Sequence, residues 1–196
     1  MEKVLVTGAT GYIALHCVQQ LLDQGYAVNG SIRSPERKNE VIEALKNSGT
    51  STENLNLFVF DLTNDEGWDD GMEGCDYLLH VASPLALENH TEDYFVKPAV
   101  AGAKRALKFA KKHSVKKVVL TSSVAAIFET GEEKIFYDES DWSDPDNPNI
   151  SNYAKSKTLA EKAAWEFLKE EGNPFDFAVI NPCLLYTSDA ADDVAS

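Results

Sequence analysis

The chain contains few cysteines, few basic residues and no long hydrophobic run. Its three cysteines, Cys17, Cys75 and Cys183, have neither metal-ligand spacing nor the density of a disulfide framework, which favours a reducing compartment. No apolar stretch approaches the roughly 20 residues that a helix needs to span a bilayer. Internal repeats and low-complexity tracts are also missing. These absences argue against a disulfide-rich domain, a membrane-spanning protein and a repeat protein.

Positive charge is scarce, because 18 lysines and arginines face 32 aspartates and glutamates and give a formal net charge of −14. Nucleic acids and anionic membranes bind clustered positive charge, so we expect neither as a partner. The first residues, "MEKVLVTGAT", are predicted to enter a strand at once, so we expect no targeting segment among them. With 196 residues and 43% hydrophobic content, the chain is expected to form one soluble, cytoplasmic domain.

Short apolar runs alternate with longer amphipathic segments as far as Pro182. The runs that predict strands are "KVLVTG", "AVNGSI", "LNLFVF", "YLLHVA", "KKVVLTSS" and "FDFAVINP". Helical spacing predicts helices over residues 12–24, from about Pro35, over about 92–113 and around Tyr153. Residues 128–150, rich in Asp, Pro and Asn, predict a long loop. Apolar strands separated by helices predict an α/β protein with a doubly wound parallel-sheet Rossmann fold.

The first strand leads into a glycine-rich turn, "TGATGYIA", with the spacing G-x-x-G-x-x-A. Gly8 permits a tight turn, Gly11 lets the backbone approach a pyrophosphate, and Ala14 lets the following helix pack closely on the sheet. Amides at the start of that helix would face the phosphates. The alternative is a merely structural turn. The residues of this turn that we predict to bind a dinucleotide are Gly8, Thr10, Gly11, Tyr12 and Ile13.

The end of the second strand carries basic residues. A site for NAD would offer Asp or Glu there to bind the ribose hydroxyls. The sequence has "SIRSPERK" instead, with Arg33 at the strand end and Arg37 and Lys38 nearby. A guanidinium can hold a 2′-phosphate through two hydrogen bonds, so this cluster favours NADP. The alternative is a solvated basic turn.

Tyr153 and Lys157 are four residues apart at the start of a predicted helix, and so share one helix face. An isolated tyrosine stays protonated at neutral pH, but a nearby ammonium favours the phenolate. Ser122 and Ser123 end the fifth strand, at the sheet edge where ligands bind. A hydroxyl there can donate a hydrogen bond to a carbonyl oxygen as negative charge builds on it. The alternative for each serine is a strand-end turn former.

The motifs "TGATGYIA", "HVASP", "VVLTSS", "YAKSK" and "VINP" together resemble those of the extended short-chain dehydrogenase/reductases. The resemblance covers residues 1–182. It is strongest to the group of dihydroflavonol reductases, cinnamoyl-CoA reductases and yeast-type methylglyoxal (aldehyde) reductases. It implies a Rossmann fold, NADP(H) as the cofactor, and, by analogy, a homodimer formed through helices that flank the sheet.

The resemblance also implies roles for individual residues. Tyr153 would be the catalytic acid–base, Lys157 its partner and a ligand of the nicotinamide ribose, and Ser123 the serine that polarises the carbonyl. Arg33 and Lys38 would contact the 2′-phosphate. The other positions assigned to the cofactor site are Asp61 and Leu62 beside the adenine, Val81, Ala82 and Ser83 after the fourth strand, Ser122, and Asn181 and Pro182 near the nicotinamide.

The family motifs end at "VINP", after which the apolar pattern is lost. Residues 183–193, "CLLYTSDAADD", resemble one reading frame of a transposon-type sequencing adaptor, and the alternative is a natural polar tail. We interpret residues 1–182 as the NADP-binding Rossmann domain of an incomplete extended-family protein and residues 183–196 as a non-native tail. The C-terminal substrate lobe of the family would then be missing. Whether the chain is active by itself is left open.

The sequence predicts an NADPH-dependent reductase of an aldehyde or ketone, whose partner is a small carbonyl compound. Two alternatives stand beside it. A sugar-nucleotide epimerase or dehydratase on the same fold would hold NAD tightly. A non-catalytic dinucleotide sensor would have no use for Tyr153 and Lys157. His80 lies within a buried strand and is expected to be structural, and no set of residues has the spacing of a metal site.

Overall fold

The structure is a computed structural model that describes residues 1–84, 91–130 and 134–183. Its strands are β1 (Lys3–Val6), β2 (Ala27–Ile32), β3 (Leu55–Val59), β4 (Tyr77–His80), β5 (Lys117–Thr121) and β6 (Asp176–Ile180). Its α-helices are α1 (Tyr12–Asp23), α2 (Lys38–Asn47), α3 (Trp68–Met72), α4 (Glu92–Lys112) and α5 (Asn152–Glu170). None of these helices is both long enough and apolar enough to cross a membrane. All but the first residue of the predicted non-native tail lies outside the described part of the chain.

The six strands form one parallel sheet in the order β3-β2-β1-β4-β5-β6. Each parallel connection requires a crossover, and helices supply it on both faces of the sheet. The direction of winding reverses between β1 and β4, which is where sheets of this kind bind ligands at their carboxyl edge. The predicted α/β doubly wound Rossmann fold is confirmed.

The sheet separates two hydrophobic clusters, because successive side chains of a strand point to opposite faces. In β1, Val4 and Val6 join the cluster beneath α1 and α2, whereas Leu5 joins the cluster beneath α3, α4 and α5. Trp68 is fully buried in the second cluster and stacks on Phe109 with the ring centroids 5.7 Å apart. The central strands β1 and β4 are therefore covered on both faces, and their carboxyl ends lie side by side at one edge of the sheet.

The short helix α3 is a feature that the sequence pattern does not predict. Its five residues span little more than one turn, too few to show a helical hydrophobic period. Gly67, at φ 77°, turns the chain into the helix, and the buried side chains of Trp68 and Met72 hold it against the sheet. The helix predicted from Pro35 begins instead as a 3-10 turn and becomes α-helical at Lys38.

The described residues of the predicted loop 128–150 form only turns and bends. Ser143 ties this loop to the turn after β5, since its hydroxyl donates to the Ala125 carbonyl and accepts from the Glu129 amide, both at 2.8 Å. The Glu129 carboxylate in turn accepts from the amide and hydroxyl of Ser151, at 3.0 and 3.1 Å. The loop therefore joins the end of β5 to the start of α5.

Replacing Ser143 by alanine is expected to lower the free energy of unfolding by about 1–3 kcal/mol. The side chain is fully buried, and its loss leaves the Glu129 amide and the Ala125 carbonyl without this partner. Chemical denaturation followed by circular dichroism measures the change. Ser140→Ala is the control, because Ser140 is exposed and its hydroxyl donates to Asp138 on the surface. Equal costs for the two variants would contradict the role given to Ser143.

Candidate active site

The glycine turn between β1 and α1 is shaped to receive a ligand. Gly8 has φ 74°, and a Cβ added to it would lie 3.1 Å from the Cβ of Ala82, so any side chain there would be both strained and crowded. The Gly8 amide donates to the Ser31 hydroxyl at 2.8 Å. Gly11 caps α1 without any side-chain hydrogen bond, so the helix's first-turn amides have no capping side chain. The turn therefore fits the phosphates of a dinucleotide.

Thr7, at the end of β1, joins the glycine turn to the end of β4. Its hydroxyl oxygen accepts hydrogen bonds from the amides of Val81 and Ala82, both at 3.0 Å, and lies 3.0 Å from Nδ1 of His80. With both lone pairs engaged, the hydroxyl donates its proton to Nδ1, so the imidazole proton resides on Nε2. Burial, with a smaller contribution from the Lys157 ammonium, lowers the pKa of His80 to about 3. His80 is thus a buried, neutral residue held by Thr7.

The basic residues after β2 are of two kinds, one that is paired with an acid and two that are exposed. The Arg37 guanidinium is paired with the Glu40 carboxylate at 2.7 Å. Arg33 and Lys38, the two predicted 2′-phosphate ligands, are exposed, and neither forms an ion pair with a carboxylate of the described ranges. Arg33 is close enough to Asp61 to help lower the pKa of that carboxyl. Arg33 therefore lies near one carboxylate, that of Asp61, but forms no ion pair within 4.0 Å in the described part of the chain.

Asp61 and Leu62, the predicted adenine pair, follow β3 and are both half-buried. The Asp61 carboxylate accepts from the hydroxyl and the amide of Thr63, both at 2.7 Å, and these bonds are the main reason that the pKa of Asp61 is low. The Leu62 side chain packs on Gly102 of α4, and its carbonyl accepts from Arg105. The pair is therefore fixed in place by its own loop and by α4.

Tyr153 and Lys157 lie in the first turns of α5, which starts sharply because the Ser151 hydroxyl accepts from the Ala154 amide at 3.1 Å. The Lys157 side chain crosses to the sheet, where Nζ donates to the Thr121 carbonyl at 3.3 Å. Nζ lies 5.8 Å from the centroid of the Tyr153 ring, so the predicted pair does converge. Lys157 is only 6% exposed, and its burial lowers its pKa to about 8.

The two serines after β5 have different surroundings. The Ser123 hydroxyl accepts from the Ala125 amide at 3.2 Å and so caps the 3-10 turn Val124–Ala126, which leaves its proton for another acceptor. The Ser122 hydroxyl is buried and has no hydrogen-bond partner within the described ranges. Both serines are held by β6 and the residues after it, because the Ser122 amide donates to Ile180 and the Ser123 carbonyl accepts from Asn181.

A small cavity of about 20 Å³ lies behind these residues, between the ends of β4 and β5 and the helices α4 and α5. Its volume is enough for one water molecule. The polar side chains that line it are those of His80, Ser83, Thr121, Ser122, Lys157 and Glu161. The Ser122 hydroxyl, which has no partner among the described residues, and the buried Lys157 ammonium therefore line the same polar cavity.

The fold brings most of the predicted residues to one edge of the sheet. Gly8 and Ala82 lie in contact, Lys157 reaches the end of β5, and Pro182 accepts from the Val124 amide at 2.9 Å. Arg33 and Lys38 follow β2, the strand that pairs with β1 on the side away from β4. The remaining glycine-turn positions Thr10, Tyr12 and Ile13, and Val81 and Ser83 after β4, are at least partly exposed.

Sequence reasoning missed two residues of this site. Thr7 carries no signal in the sequence, because threonine is common at the end of a strand. Its role is visible only from the three contacts of its hydroxyl group in the structure. Glu161 did carry a signal, since it follows Tyr153 and Lys157 at the same interval of four residues and so faces the same way.

The strand order and the glycine turn define the chain as a protein of the Rossmann-fold class. A profile of the NAD dependent epimerase/dehydratase family matches residues 4–194. The chain belongs to this family, the extended short-chain dehydrogenase/reductases. The resemblance read from its motifs is thereby confirmed.

The relatives include reductases of the predicted group. Anthocyanidin reductase ((2S)-flavan-3-ol-forming) of Vitis vinifera is 36% identical over 204 residues, which cover 100% of this chain and 59% of the relative. Dihydroflavonol 4-reductase of Arabidopsis thaliana is 38% identical over 191 residues, covering 94% and 49%. The chain therefore spans about half the length of the curated relatives it matches.

Solved structures agree with this assignment. The crystal structure of yeast methylglyoxal/isovaleraldehyde reductase Gre2 complexed with NADPH is similar with a TM-score of 0.80 and 34% identity, over 92% of this chain and 57% of that one. The cofactor in that complex is the one predicted from the sequence of this chain.

Proposed function

We propose that this chain binds NADP(H) and forms the cofactor domain of a reductase that converts an aldehyde or ketone to an alcohol. The observation that carries the proposal is the Lys157 ammonium, buried against the end of β5 and 5.8 Å from the Tyr153 ring centroid. A buried ammonium costs free energy, so its retention beside a tyrosine at the ligand-binding edge supports a chemical role. Membership of a family with NADPH-bound relatives supports the choice of cofactor.

The roles of the residues follow from their positions. When bound, NADPH would supply the hydride that adds to the carbonyl carbon. Ser123 donates its free hydroxyl proton in a hydrogen bond to the carbonyl oxygen, and Tyr153 transfers its proton to that oxygen to complete the alcohol. The Lys157 ammonium stabilises the phenolate that Tyr153 becomes. Solvent then returns a proton to Tyr153.

The substrate class is proposed from the same relatives. Their names describe an anthocyanidin reductase, a dihydroflavonol 4-reductase and a methylglyoxal/isovaleraldehyde reductase. By analogy with these relatives, about half of whose length this chain spans, we propose a small carbonyl compound as the substrate and a pair of chains as the assembly of the whole protein.

Replacing Arg33 by alanine is expected to raise the dissociation constant for NADPH by about tenfold or more and to leave that for NADH nearly unchanged. Only NADPH carries the 2′-phosphate that the exposed guanidinium would hold through charge-assisted hydrogen bonds. Fluorescence titration of the two nucleotides measures both constants.

Arg37→Ala is the matched control for this substitution. Arg37 lies on the same turn, but its guanidinium is already paired with Glu40, so its removal should change neither constant appreciably. An equal loss of affinity for NADPH and for NADH in Arg33→Ala would mean that Arg33 does not bind the 2′-phosphate.

The proposed function is tested by combining nucleotide titration with an assay of NADPH oxidation over a panel of aldehydes and ketones. We expect NADPH to bind more tightly than NADH, and carbonyl compounds to be reduced at its expense. NAD released when the purified protein is denatured would favour the alternative, a sugar-nucleotide epimerase or dehydratase. Nucleotide binding that survives replacement of both Tyr153 and Lys157, in a parent protein that turns over no carbonyl compound, would favour a sensor.

A further inference from the structure

Glu161 is a buried acid on the catalytic face of α5. It follows Lys157 by one helical turn, and its side chain lines the cavity of about 20 Å³ that Lys157 also lines. It is only 6% exposed, a degree of burial that acids rarely show unless they are paired. The mechanism proposed above makes no use of this residue.

The carboxylate of Glu161 is linked to Ser123 by hydrogen bonds through a single residue, Asn181. The side-chain amide of Asn181, just after β6, donates to Oε2 of Glu161 at 2.9 Å and to the carbonyl oxygen of Ser123 at 3.1 Å. Both amide protons of Asn181 are used in these bonds. Glu161 therefore helps to fix the backbone that carries the Ser123 hydroxyl.

Glu161 also supplies the charge that faces Lys157. In the described part of the chain neither residue forms an ion pair within 4.0 Å, and both form hydrogen bonds with uncharged groups, Glu161 with Asn181 and Lys157 with the Thr121 carbonyl. The other groups around the cavity cannot serve. His80 of β4 is neutral, α4 contributes Ala99 and Ala103, and the remaining lining residues carry hydroxyls or aliphatic side chains.

We infer that Glu161 is a positioning residue of the proposed active site, which holds Ser123 through Asn181 and keeps the Lys157 side chain an ammonium by its negative charge. The catalytic meaning of this inference rests on the proposed function. Burial lowers the pKa of Lys157, and the charge of Glu161 acts against that lowering. Without it, more of the lysine would be neutral at physiological pH and less able to stabilise a phenolate.

The test is a titration of the Lys157 side chain by NMR in the whole chain labelled with ¹³C-lysine, with the resonance assigned by its loss in Lys157→Met. In Glu161→Gln, which keeps the shape and can still accept from Asn181, the pKa of Lys157 is expected to fall by about 1 unit. Glu161→Asp, which keeps the charge, should restore most of the value. Glu166→Gln is the matched control, because Glu166 is an exposed acid on the same helix.

An unchanged Lys157 titration in folded Glu161→Gln would overturn the inference. Loss of folding in Glu161→Gln and also in Glu161→Ala would overturn it too, because the acid would then be needed for the fold rather than for positioning. If the parent chain reduces carbonyl compounds, Glu161→Gln should lower kcat more at pH 8–9 than at pH 6–7 and leave KM for NADPH nearly unchanged. A parent chain that does not bind NADPH would defeat the proposed function alone, since the lysine titration needs no cofactor.

Discussion

Replacing Tyr153 by phenylalanine is expected to reduce kcat for NADPH-dependent carbonyl reduction by about 10²–10⁴-fold, with less than a twofold change in the dissociation constant for NADPH. The variant keeps the aromatic ring, which packs edge-on to Phe95 with the centroids 6.4 Å apart, and it keeps the Ser151 cap. It removes only the hydroxyl that gives the proton to the carbonyl oxygen. Steady-state kinetics and fluorescence titration measure the two effects separately.

The control for this substitution is Tyr26→Phe. Tyr26 immediately precedes β2 and therefore lies at the amino edge of the sheet, away from the proposed site. Its loss of a hydroxyl should leave turnover unchanged. Undiminished turnover in Tyr153→Phe would remove the acid–base role, and a parallel loss of NADPH binding would mean that the hydroxyl acts on the cofactor instead.

Replacing Lys157 by methionine is expected to stabilise the protein while it reduces turnover at least about 100-fold. Burial lowers the pKa of Lys157 from 10.5 to about 8, which corresponds to about 3 kcal/mol of destabilisation at neutral pH. The lost hydrogen bond to the Thr121 carbonyl offsets about 1 kcal/mol of the gain. The free energy of unfolding at pH 7 should therefore rise by about 1–3 kcal/mol in chemical denaturation.

The difference in the free energy of unfolding between Lys157→Met and the parent chain is expected to depend on pH. Below pH 8 the lysine is protonated in both the folded and the unfolded chain, so the whole cost of burying the ammonium applies. Between about pH 8 and 10.5 the folded chain loses this proton while the unfolded chain keeps it, so the free energy of unfolding rises with pH. Lys157→Met lacks that rise, and its advantage should disappear as the pH approaches 10.5.

Lys155→Met is the control, because Lys155 lies on the same helix but pairs with Glu92 at 3.1 Å near the surface. Its removal should cost no more than about 1 kcal/mol and should not alter the slope between pH 8 and 10.5. A Lys157→Met protein that is less stable than its parent at pH 7 would contradict the view that the buried ammonium is kept for function at the expense of stability.

The sequence pattern predicts the sheet because each strand is a compact apolar run between glycines or helical segments. All six predicted strands form, and the helices of more than two turns lie where their hydrophobic spacing indicates. The exception is α3, whose existence depends on the burial of Trp68 against Phe60 and Phe109, residues that are distant along the chain or on another element. A one-turn helix has no period of its own to detect.

The candidate site is predictable to the extent that its residues lie in local motifs. Gly8 and Gly11 are recognisable from their spacing between a strand and a helix, and Tyr153 with Lys157 from their spacing together with the glycine turn and the strand that ends in "LTSS". The contacts that join separate elements are not, since the Asn181 amide meets Ser123 and Glu161 only after β5, β6 and α5 have packed. Residue type and spacing thus indicate the chemistry, whereas the supporting bonds follow from the tertiary structure.

The contact of Thr7 with His80 affects the number of protons that the chain binds or releases as it folds. An imidazole whose Nδ1 accepts from a hydroxyl, in a setting that lowers its pKa to about 3, must enter the native state uncharged. Lys157, at the other buried position, holds its proton more weakly than a free lysine does. Folding therefore releases a proton from His80 between about pH 3 and 6.5 and from Lys157 between about pH 8 and 10.5, so raising the pH within either window favours the folded chain.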